Sequence, residues 1–65
     1  MTVTEFLQTR DWWDVNNNGL ILACIISKED FLLYFKELGY FSIEGMNILV
    51  EQLTDQQFGL SVYNI

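Results

Sequence analysis

Half of this 65-residue chain is apolar, and its charged side chains are nine acids against three bases with no histidine, a net charge of −6. A chain this short holds one domain at most; its single cysteine, Cys24, excludes an internal disulfide, and the missing histidines leave zinc without its usual ligands. Arg10, Lys28 and Lys36 stand apart from one another, so neither nucleic-acid phosphates nor an anionic membrane surface would meet a basic cluster.

Thr2 and Glu5 have capping-box spacing, and Val3, Phe6 and Leu7 fall at helical intervals, which predicts a first helix over residues 3–10. Asp14-Val15-Asn16-Asn17-Asn18-Gly19 is the clearest turn signal, because Asn and Gly tolerate positive φ and Asn-Gly suits a type I′ hairpin turn. The flanking segments predict a β-hairpin of residues 12–16 with 20–26; the unbroken apolar run Leu20 to Ile26 reads as a strand covered on both faces. Ser27 is placed to cap a helix over residues 28–38, with Asp30 at the capping-box position, Phe31, Leu32, Phe35 and Leu38 as its stripe, Tyr34 broadening it, and Gly39 as the residue that ends it.

Ser42 then stands as the cap of a third helix, in which Ile43, Met46, Val50 and Leu53 recur at steps of three and four. Thr54 to Gln57 read as a polar connection, and Gly59 to Ile65 alternate as a final strand that pairs beside 20–26. The expected fold class is α+β: one compact domain over residues 1–65, with a three-stranded antiparallel or mixed sheet (the hairpin plus the C-terminal strand) packed with two to three helices.

The chemistry-bearing groups are sparse. Asp11 and Asp14 flank Trp12-Trp13, but on a strand they point to opposite faces, and Cys24 has no histidine to activate it. The expectation is therefore a non-enzyme with no catalytic residue, no metal and no cofactor. Asp14, Asn16, Asn18, Gly19 and Ile21 fall at the first, third, fifth, sixth and eighth positions of a calcium loop. Over these eight residues the segment resembles the first half of an EF-hand or dockerin loop, which implies weak calcium binding at most. The resemblance stops there, because Ile25 stands where the closing bidentate carboxylate belongs.

Two tryptophans, three tyrosines and five phenylalanines exceed what so small a domain hides completely, so a partner or self-association is expected. In an extended segment only one of Trp12 and Trp13 can enter the core, which leaves the other as an interface anchor. The candidate partner-binding residues are Trp12, Trp13, Asp11, Tyr40, Phe41, Glu44, Glu51 and Tyr63, with Glu44 and Glu51 sharing one face of the third helix. The functional expectation is a small acidic protein that binds a partner as an inhibitor or regulator, by analogy of size and composition with phage and mobile-element proteins. The partner is a protein, basic or itself nucleic-acid-binding, with no direct contact to nucleic acid or membrane. The alternatives are a structural homodimer or higher homo-oligomer and a mimic of DNA phosphates. MTVTEFLQTR lacks a basic start and a long apolar core, and one unpaired cysteine suits a reducing compartment, so the expected location is cytoplasmic.

Overall fold

In the computed structural model, which describes residues 1–63, α1 spans Val3–Gln8 and closes the Thr2/Glu5 capping box. Thr2 Oγ1 accepts from the Glu5 N–H at 3.2 Å, and Glu5 Oε1 accepts from the Thr2 N–H at 3.0 Å. The bond from the Thr2 backbone, followed by that from its hydroxyl, holds the Glu5 carboxyl below its ordinary value. Arg10 lies beyond the helix, donating through Nε to the Phe6 carbonyl and resting its guanidinium carbon 4.3 Å from the Phe6 ring centroid.

Strand β1 (Trp13–Asp14) leads through residues 15–20 into β2 (Ile21–Ser27). The turn is not the expected two-residue Asn-Gly type: positive φ falls on Asn17 (58°) and Gly19 (74°), with Asn18 between them. Asp14 decides this. Its two carboxylate oxygens accept from the N–H groups of Asn18 (3.3 Å) and Gly19 (2.6 Å), folding a wider loop around itself.

Helix α2 covers Lys28–Tyr34, with the Ser27 hydroxyl accepting from the Asp30 N–H at 3.2 Å. It ends earlier than the predicted 38, because Lys36 takes φ 70° and its N–H reaches back to the Phe31 carbonyl at 2.9 Å. Gly39, expected to end this helix, instead opens β3 (Gly39–Ile43) at φ 118°, a conformation only glycine adopts freely.

The third helix does not exist. Residues 43–53 form the end of β3, a turn and β4 (Met46–Gln52), followed by β5 (Gln57–Tyr63). Glu44 (φ 48°) and Gly45 (φ 83°) both take left-handed backbone, the requirement of a two-residue type I′ hairpin. The spacing of Ile43, Met46 and Val50 fits a helix, but Met46, Ile48 and Val50 also alternate, and the β-branched members favour the pleat. The fold class expected from sequence is thus overturned: a five-stranded antiparallel sheet, ordered β1-β2-β5-β4-β3, carries only two short helices. Asn64 and Ile65, assigned above to the last strand, lie outside the described residues.

Both helices pack on one face of the sheet. Phe31 of α2 stacks on Phe58 of β5 with centroids 3.9 Å apart, Phe35 meets Phe41 of β3 edge-on at 5.8 Å, and Phe6 of α1 stacks on Tyr34 at 4.2 Å. Beneath them the register aligns Cys24, Leu60 and Val50 in one row, and Leu22, Val62, Ile48 and Phe41 in the next. Ile48 and Leu60 are wholly buried.

Burial gives Cys24 a measurable consequence. Desolvation, more than the opposing nearby Arg10 charge or the reinforcing Asp11 charge, raises its thiol from 9.0 to about 11. The folded chain therefore keeps a proton that the unfolded chain releases between those values, so stability is unaffected below pH 9.0 and falls as pH rises toward about 11. Urea midpoints across this window should decline in the wild type more steeply than in Cys24→Ala. Equal slopes would contradict the assignment.

Candidate partner-binding face

The pleat that sends Cys24, Ile26, Phe58, Leu60, Ile48 and Val50 toward the helices sends their neighbours to the other side. No described element covers that side. The predicted burial of β2 on both faces is therefore corrected: Ile25 is 49% exposed, because α1 and α2 both settle on the opposite face. A one-sided antiparallel sheet ordinarily alternates apolar inward with polar outward. Here the outward positions include Ile21, Ala23, Ile25, Leu49, Tyr40 and Tyr63.

The register organises them. Trp13 opposes Ala23, Ala23 opposes Ser61, Ser61 opposes Leu49, and Leu49 opposes Tyr40, so one row crosses all five strands. It ends in aromatics on both sheet edges, Trp13 at 50% and Tyr40 at 74% exposure. The row on one side joins Ile25, Gly59 and Glu51, and the row on the other joins Ile21, Tyr63, Asn47 and Ser42. Leu53 folds back over Gly59: a Cβ there would lie 3.4 Å from the Leu53 side chain.

The sequence-predicted residues divide. Trp13, Tyr40, Glu51 and Tyr63 all lie on the open face, Trp13 and Tyr40 on its two edge strands and Glu51 and Tyr63 in rows on either side of theirs. Trp12 turns to the helical side, half-buried, its Nε1 donating to the Leu7 carbonyl at 2.8 Å. Phe41 is likewise half-buried there, against Phe35. Asp11 is exposed ahead of β1, and Glu44 occupies the β3–β4 turn. Glu44 and Glu51 thus share no helix face, and the row of carboxylates proposed as a phosphate mimic loses the helix that would have aligned it. Ile25, Leu49, Leu53, Ala23 and Ser61 were missed. The signal for Ile25 was its place at an odd step from Cys24 and Ile26, which an alternating strand sends outward.

Two other features were weighed. A cleft of about 240 Å³ between α1 and the sheet is walled by Leu7, Trp12, Leu22, Met46 and Val62. It gathers no set of convergent titratable groups, and among the described residues no three His, Cys, Asp or Glu side chains are placed to hold a metal ion. In the residue 15–20 loop, both Asp14 oxygens are engaged by backbone N–H groups, so the loop closes on protein donors alone. Asp14→Ala should loosen it and cost about 1–3 kcal/mol, since charge-assisted bonds are lost. Millimolar calcium should leave wild-type tryptophan fluorescence unchanged; a saturable change would restore the calcium reading.

Among the described residues no helix is long and apolar enough to cross a membrane. No protein-family model, curated protein or solved structure is detectably similar to the chain.

Proposed function

We propose that this chain is a small acidic protein-binding protein, an inhibitor or regulator and not a catalyst, which presents the open sheet face to its partner. The carrying observation is the row of Trp13, Ala23, Ser61, Leu49 and Tyr40 on the face that the helices leave uncovered, exposed at Trp13, Tyr40 and the flanking Ile25 and Leu53 and half-buried at its middle. Contiguous exposed apolar surface of this kind marks interaction sites, and exposed Trp and Tyr are the side chains most often found as binding anchors. A buried, unpaired Cys24 supports a reducing, cytoplasmic setting.

Affinity capture from the native host tests the reading, with wild type compared against Trp13→Ala/Tyr40→Ala and against Leu33→Ala on the exposed side of α2. The double variant should lose the captured partner and the α2 variant should keep it. Retention by the double variant would sink the assignment.

One observation favours a second reading, homo-oligomerisation. The outer edge of β3, Gly39–Ile43, carries none of the lysines or prolines that usually guard an edge strand. Light scattering at high micromolar concentration separates the two, and a strict monomer removes this alternative.

A further inference from the structure

We infer that the residue 15–20 loop modifies itself: the Asn18-Gly19 peptide closes to a succinimide with the Asp14 carboxylate as general base, and water then opens the ring to aspartate or isoaspartate at position 18.

The reaction needs a nucleophile, an electrophile, a base and a donor for the developing oxyanion, and the loop brings them together. The nucleophile is the Gly19 backbone nitrogen, whose N–H donates to Asp14 Oδ2 at 2.6 Å, within reach of proton transfer to a base. The electrophile is the Asn18 side-chain amide carbon. Its oxygen accepts from the Leu20 N–H at 3.0 Å, so the side chain arches across the intervening Gly19 nitrogen. The same Leu20 N–H stabilises the negative charge that gathers on Oδ1 as the nitrogen attacks. The Gly19 N–H lies in its peptide plane while attack runs perpendicular to that plane, so base and amide carbon meet the nitrogen from different directions. Asp14 is itself held in place, because its other oxygen accepts from the Asn18 N–H at 3.3 Å.

The surroundings leave room for the ring. Residues 15–20 are exposed throughout, and a Cβ at position 19 would meet nothing within 4 Å. Asn16 and Asn17 share that exposure, but each precedes a residue whose side chain crowds the attacking nitrogen. Asn47 precedes the β-branched Ile48 inside β4, where it is paired on both sides, with Ser42 and with Tyr63.

In the first step the bond from the Gly19 nitrogen to Asn18 Cγ forms and the Cγ–Nδ2 bond breaks. The Gly19 proton passes through Asp14 to the departing nitrogen, which leaves as ammonia. Water then adds across one imide C–N bond, giving aspartate when it attacks the side-chain carbonyl and isoaspartate when it attacks the main-chain carbonyl. While the imide stands Gly19 has no N–H, so its bond to Asp14 is absent. Isoaspartate lengthens the main chain by one carbon in the loop that sets β1, and with it Trp13, against β2. Either product adds a carboxylate to a chain already at net charge −6.

The test follows ammonia release and intact mass of the full chain at neutral pH, with fragmentation that separates aspartate from isoaspartate. Exchange of an amide for an acid should appear at Asn18 and be abolished in Asn18→Ser. The folded chain should react about tenfold faster than the same chain in guanidinium chloride, because only folding sets Asp14 on the Gly19 N–H. Asp14→Asn should lower the folded rate about tenfold and leave the unfolded rate unchanged; solvent hydroxide, acting on the same N–H, keeps the loss below the full contribution of a positioned base. Circular dichroism checks that Asp14→Asn folds, and if it does not, the ratio of folded to unfolded wild-type rates decides. A folded wild type that reacts no faster than the unfolded chain, a folded Asp14→Asn that keeps the wild-type rate, or conversion at Asn16, Asn17 or Asn47 in preference to Asn18 would overturn the assignment.

Discussion

Leu60→Ala will remove most of the stability of this protein. Leu60 lies on β5, the strand that the chain inserts last in sequence but centrally in space, between β2 and β4. It faces Cys24 on one side and Val50 on the other and is wholly buried. Truncating a buried leucine costs about 2–5 kcal/mol, and a site bounded by two strands that cannot collapse falls in the upper half of that range. A domain of this length has about 3–10 kcal/mol in total. Urea denaturation followed by tryptophan fluorescence should show the midpoint collapse toward zero denaturant. A loss below about 1 kcal/mol would mean that β5 is not central.

Phe31→Ala is the second large effect, at about 3–5 kcal/mol. Phe31 is the buried side chain of α2, and its ring stacks on that of Phe58 with centroids 3.9 Å apart and planes nearly parallel, at 5°. Helix α2 has no length to sustain itself: at Lys28–Tyr34 it is far below what an isolated helix needs in water. Without Phe31 it loses its main hold on the sheet and uncovers Phe58 and Ile26. Leu32 and Leu33, at 50% and 67% exposure, should each tolerate alanine within about 0.5 kcal/mol. Leu32 is instructive, because helical spacing places it in the same stripe as Phe31 and Phe35. Should Leu32→Ala prove as damaging as Phe31→Ala, the orientation of α2 is misassigned.

Local signals were legible wherever a side chain acts on its own backbone. Thr2 with Glu5 and Ser27 with Asp30 mark helix starts that the hydrogen bonds bear out. The alternation of Leu60 and Val62 marks a strand that does pair beside β2. Residues 43–53 were misread because apolar positions three and four apart serve a short helix, while those two apart serve a strand, and this segment contains both. The deciding feature was the pair Glu44-Gly45 in left-handed backbone. A glutamate there gives a weaker turn signal than the asparagine of Asn18-Gly19, so the tight hairpin formed at the less conspicuous pair.

For the candidate site, sequence determined that one of Trp12 and Trp13 must face outward, since adjacent residues of an extended chain point opposite ways. It could not say which. That choice followed from the side on which α1 and α2 pack, where Trp12 finds the Leu7 carbonyl for its indole N–H. Composition determined the surplus of aromatic surface, and the excess of acids over bases, without placing either. Only strand order brought Trp13 and Tyr40, far apart in the chain, to opposite ends of one row, because pairing across a sheet is set by long-range burial that no local pattern encodes.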